Sequence, residues 1–177
     1  MTRWCNSGSR RGGCEQRNLN LVLKYRLVLS SQSSIVMPDQ ENLWEKCSSG
    51  KVEEVRGALQ AGADPNSTGG PRNSTCLMEA SWKNHHEVVA LLLSRPGIQV
   101  NARDEKNYTA LHWACYNGSL ASLSKLLAVP KVEVNERNSW GNTPMMVAIH
   151  WGKTEAVRLM AAVPAVDLDV KDTEGNR

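Results

Sequence analysis

The sequence predicts an all-α fold, a solenoid of stacked helix-turn-helix units joined by short hairpin turns. Three observations predict it. Thr75, Thr109 and Thr143 recur every 34 residues, and Leu77/Leu111/Met145, Ala80/Ala114/Ala148, Leu92/Leu126/Met160 and Val100/Val134/Leu168 keep the same step, a register expected of a repeat array. Residues that tolerate positive φ hold two fixed phases: Asn73, Asn107, Gly141 and Gly175 at one, Gly50, Asn84, Gly118 and Gly152 at the other. Finally, the apolar segments between them are too short to bury their faces in isolation, so neighbouring units must stack.

The first unit is helix-only and spans about Glu41 to Asn66; three fuller units follow at 67–101, 102–135 and 136–169. In each of these, the Asn or Gly of the turn precedes Thr75, Thr109 or Thr143, whose hydroxyl suits a helix N-cap. Pro144 stands at the first helical position of the last unit, where its missing N–H costs nothing. The first helix then runs to Asn84, Gly118 or Gly152, residues suited to a left-handed C-terminal cap. A second helix passes through EVVALLL, LASLSKLL or TEAVRLM and is closed by Pro96, Pro130 or Pro164, which cannot continue it. The chain finishes on DTEGNR, which repeats the spacing of Asp104 to Asn107 and Asn138 to Gly141. Residues 171–177 are therefore expected to open a truncated fifth repeat, as in a truncated product or a fragment of a longer protein.

Charge divides the chain further. The net charge of +3 is too mild to indicate nucleic-acid binding. Residues 1–38 hold Arg3, Arg10, Arg11, Arg17, Lys24 and Arg26 against Glu15 alone, so the remainder is slightly acidic. This leader is poor in acids and rich in Ser, Gly and Arg at its start. It is expected to be a flexible basic extension of the 39–170 repeat domain, although the composition also suits an organelle transit peptide. Leu19, Leu21, Leu23, Tyr25, Leu27 and Leu29 alternate with a strand period but have no evident partner strand. No apolar run approaches the roughly 18 residues of a membrane span, the longest clean one being Val88 to Leu93. The five cysteines are scattered and form no CxxC pair, as in proteins of a reducing compartment. A cytoplasmic or nuclear location is expected.

With these units in place, TALHWACYNGS at residues 109–119 is similar to the TPLHxAxxxG signature of the ankyrin-repeat family. NTPMMVAIHWGK is a weaker copy without the His, and GADPN at 62–66 resembles the family's repeat ending. Repeat 2 departs from the pattern, with TCLMEAS in place of the usual Pro and His and an irregular GGPRN turn. The resemblance implies that His112 hydrogen-bonds the adjacent turn and that Cys115 takes a small buried position. It also implies that partners are met on the turn tips and the exposed side of the first helix.

Catalytic chemistry finds no footing in this pattern. His112 and Cys115 are three apart on one helix, but the structural roles implied by the resemblance are preferred to a Cys-His nucleophile. His85 and His86 are adjacent and point apart, and no ligand set completes a tetrahedral metal site. Neither a Walker loop nor a paired-carboxylate site can be nominated. The expectation is a non-enzymatic, monomeric chain without cofactor or metal, and with no nucleic acid or membrane as partner.

What remains is recognition. The tips carry Glu105, Lys106 and Tyr108 in one unit and Ser139, Trp140 and Asn142 in the next, while Trp82 with Lys83, Tyr116 with Asn117 and His150 with Trp151 hold the free phases of the first helices. The chain has no Phe but six Trp and three Tyr, and exposed large aromatics are favoured interface anchors. These residues are the candidate contacts of a protein partner held on a concave groove, in an adaptor or scaffold. The alternative is a regulatory or substrate-receptor segment of a larger protein, of the ubiquitin-ligase adaptor or transcription-factor inhibitor type. Leu127 with Glu133, Val134 and Asn135 resembles the pattern of ankyrin repeats modified by an asparaginyl hydroxylase, which makes Asn135 a candidate hydroxylation site beside its role as a repeat-ending residue.

Overall fold

The computed structural model describes residues 42–169. The expected extension at 1–38 and the expected fifth-repeat start at 171–177 lie outside the described residues. Eight α-helices run in order within them: α1 (Leu43–Ser49), α2 (Val52–Gln60), α3 (Cys76–Trp82), α4 (His86–Leu93), α5 (Ala110–Asn117), α6 (Leu120–Leu127), α7 (Pro144–His150) and α8 (Thr154–Ala161). A single small ladder, β1 (Thr68–Gly69) against β2 (Ser74–Thr75), pairs antiparallel with Thr68 opposite Thr75.

The helix starts follow from the threonines. The hydroxyls of Thr75, Thr109 and Thr143 accept from the N–H of Met78 at 3.3 Å, His112 at 3.4 Å and Met146 at 3.4 Å. In the first two, the third helical side chain reaches back: Met78 Sδ and His112 Nδ1 accept from the threonine N–H, a reciprocal cap. Asn73, Asn107 and Gly141 take positive φ in the turns, as do Gly50, Asn84, Gly118 and Gly152 between paired helices.

Stacking builds the core. In one row α1, α3, α5 and α7 pack in succession, and α2, α4, α6 and α8 form a second row behind them. Leu77, Val88, Leu92, Leu111, Leu123, Leu126 and Met160 are fully buried between the rows, each burial worth about 1.5–3 kcal/mol. Asparagines bind unit to unit at the repeat endings. Asn66 Nδ2 donates to the Gly97 carbonyl and its Oδ1 accepts from Gln99 N–H; Asn101 makes the same pair with Lys131 and Glu133, and Asn135 with Ala165 and Asp167. No helix among the described residues is long and apolar enough to cross a membrane.

Candidate partner-binding groove

The turn tips are shaped by one acid and its counterpart. Asp104 Oδ1 accepts from the N–H groups of Lys106 and Tyr108, both at 2.9 Å, and its Oδ2 accepts from Trp113 Nε1 at 3.0 Å. One repeat later, Asn138 Oδ1 accepts from the N–H groups of Trp140 and Asn142 at 2.9 and 3.0 Å. Ser139 N–H donates to the Lys106 carbonyl and Asn107 Nδ2 to Ser139 Oγ, so the two tips are held together. His112 joins tip to helix: its Nε2–H donates to the Asn142 carbonyl at 3.1 Å while Nδ1 accepts from Thr109 N–H. Burial keeps that imidazole neutral and pulls its pKa down to about 4.

Along the first helices the aromatics form a continuous row. Trp82 meets Trp113 at 5.9 Å between ring centroids, Trp113 meets Tyr116 at 5.5 Å, and Tyr116 meets Trp151 at 4.7 Å. Tyr108 adds a branch toward the tips, 4.9 Å from Trp113 and 5.9 Å from Trp140. Such tilted and edge-on pairs suit the ring quadrupole. Burial raises the Tyr108 hydroxyl above its ordinary pKa, so it stays protonated.

At the repeat-2 end, Arg72 lies 4.6 Å from the centroids of both Trp82 and Trp113. The irregular turn thereby supplies a cation to the row. Arg72 also pairs at 3.5 Å with Glu79, a carboxylate only 3% exposed that further receives Lys83 at 3.3 Å and the Ser48 hydroxyl at 3.1 Å.

The other end of the row opens into a recess of about 310 Å³ lined by Tyr108, Trp140, Asn142, Val147, His150 and Trp151. Trp140 and Trp151 are each about half exposed, and Lys106 Nζ stands 5.4 Å from the Trp140 centroid. The origin of this space is visible in the repeat register. Tyr108, Trp113 and Tyr116 pack together in repeat 3, whereas the same phases of repeat 4 carry the smaller Asn142, Val147 and His150.

The structure thus gathers five of the nominated residues, Tyr108, Trp140, Asn142, His150 and Trp151, around one recess. Trp82 and Tyr116 are half-buried links of the row rather than free anchors. Asn117 is spent internally, its Nδ2 donating to the Trp82 carbonyl at 2.8 Å. Glu105 is exposed at the tip and Lys83 is tied to Glu79. Asn135 lies away from the groove, with both ends of its amide hydrogen-bonded. Sequence reasoning did not single out Arg72, Asn138 or Val147; the signal for Val147 was its departure from the Trp113 phase.

Comparisons with known proteins agree with this architecture. A family model for ankyrin repeats, in three copies, matches residues 38–138 and 96–172, well over half of the chain. Protein fem-1 homolog A-like from Mus musculus is 49% identical over 49 residues, which is 28% of this chain and 7% of that protein. Ankyrin repeat domain-containing protein 49 from Bos taurus is 49% identical over 47 residues, 27% of this chain and 20% of that protein. The matched stretch is therefore a minor part of either relative.

Proposed function

The chain belongs to the ankyrin-repeat family, and from that premise we propose that it is a non-catalytic adaptor or scaffold whose groove and turn tips hold a partner protein. Ankyrin repeats are generally protein–protein interaction modules and typically not enzymes. The observation that carries the assignment to this surface is the aromatic row from Trp82 to Trp151, ending in a recess between two half-exposed tryptophans. Neighbouring rings and hydrogen-bonded tips hold these side chains in place before a partner arrives, which lowers the entropy cost of binding. Large, rigid aromatics are also the side chains that most often dominate interface energy.

The described cysteines, Cys47, Cys76 and Cys115, are buried free thiols, which supports a cytoplasmic or nuclear setting. A second reading, a regulatory or substrate-receptor segment of a larger protein, draws on the relatives, in which the matched stretch is small.

Affinity capture from cell extract tests the surface. Trp140→Ala combined with Trp151→Ala should lose the captured partners while the protein stays folded, with a lowered melting temperature but a parent-like circular dichroism spectrum. Partners retained by the double variant would move the interface elsewhere.

A further inference from the structure

The recess is an aromatic-sized space whose counterpart one repeat earlier is filled from within. In repeat 3, Trp113 occupies that phase, between Tyr108 and Tyr116, and its indole N–H is accepted by Asp104. In repeat 4 both members of the pair change: Val147 replaces the tryptophan and Asn138 replaces the aspartate. Asn138 is 5% exposed, and its Oδ1 is fully used by the tip. Its Nδ2 is buried against the Tyr108 hydroxyl.

The charges around the recess define the occupant further. Among the described residues, no carboxylate lines it. The Lys106 ammonium over Trp140 would repel a cation bound on that ring and attract an anion. The Asn142 amide on the wall adds a further donor. Neither Lys106 nor the adjacent Glu105 lines the recess itself, but it is the Lys106 ammonium that stands over the Trp140 ring at its edge.

We propose that the recess between Trp140 and Trp151 receives an aromatic side chain of an acidic peptide segment in the partner, taking the place that Trp113 fills in repeat 3. The aromatic ring enters over Val147 against Tyr108, Trp140 and Trp151. Carboxylate oxygens of the same segment face Lys106 and accept from Asn142. This inference rests on the interaction-module reading and makes it specific to one end of the groove.

The test uses the full chain, immobilised to select binders from a phage library of short random peptides, followed by anisotropy measurements on labelled synthetic copies. Enriched peptides are expected to pair Trp, Tyr or Phe with a nearby Asp or Glu. Asn138→Asp with Val147→Trp copies the repeat-3 pair into repeat 4. It should fill the recess, leave the melting temperature the same or higher, and weaken these peptides by about tenfold or more. Lys106→Glu should weaken the acidic peptides and favour versions with Lys in place of the acid, a swap that a purely structural lysine would not produce. Failure to enrich an aromatic-acidic pattern, or equal binding to the filled variant, overturns the proposal. Protein partners that the filled variant still captures, but that Trp140→Ala with Trp151→Ala loses, would leave the interaction module standing without this occupant.

Discussion

Trp113 donates its indole N–H to Asp104 at 3.0 Å, and through that bond the groove helix α5 fixes the conformation of the preceding turn tip. The acid is held at both ends, because its other oxygen accepts two backbone N–H groups. Asp104→Asn keeps the shape but turns an amide donor toward the indole donor or gives up the turn. It should cost about 1–3 kcal/mol, the usual loss of a buried, charge-assisted bond. Urea unfolding followed by tryptophan fluorescence checks this, and an unchanged midpoint would deny the bond its structural role.

Acid should weaken the stack through His112. Its native pKa of about 4 lies below the ordinary 6.5, so the unfolded chain takes up the proton first as the pH falls. The stability tied to the neutral ring is complete above pH 6.5 and is lost as the pH drops towards 4. It amounts to on the order of 3 kcal/mol. His112→Gln, which removes the titration but keeps a donor for the Asn142 carbonyl, should be less stable at neutral pH and show a flatter dependence across that window. Parallel slopes for the two proteins, measured by denaturant unfolding at a series of pH values, would assign the acid sensitivity to other groups.

Thiol chemistry gives a third expectation. Burial in α5 pushes the Cys115 thiol up to about 12 and removes it from solvent, so thiolate is scarce and unreachable in the native state. Labelling of Cys115 by an aromatic disulfide reagent should proceed only at the rate of local or global opening and accelerate with denaturant. Prompt labelling in buffer, located by peptide mass mapping, would contradict the packing.

The sequence made the scaffold legible wherever a local rule acts on one residue. The threonine caps and the positive-φ Asn and Gly positions fall where their own chemistry requires them, in each of repeats 2 to 4. The site was legible only as a set of phases. Asn117 has an exposed phase, yet its amide is committed to the Trp82 carbonyl of the neighbouring unit, a contact that spacing does not reveal. The recess was hidden for the opposite reason: it arises where Val147 and Asn138 break the pattern set by Trp113 and Asp104, and periodicity draws attention to agreement. Arg72 was obscured by its irregular turn, because the reach of its guanidinium over Trp82 and Trp113 depends on tertiary packing.

Ile149 shows how far position in the stack overrides phase. It is 50% exposed, while Cys115 and Ser81 at the same phase of the preceding repeats are 0% exposed beneath the next unit. Leu168 is likewise 60% exposed against 8% for Val134 and Val100. Because about half of Ile149 stays in water, Ile149→Ser should cost about 1 kcal/mol, less than a change at a covered position. The reverse exchange at the covered phase, Cys115→Ile, forces extra carbon between α5 and its neighbours and should cost about 1–3 kcal/mol. Thermal melts of the two variants make the comparison direct. Equal losses would mean that the described end of the stack is covered in solution, since only a covered Ile149 would register the change as strongly as the core.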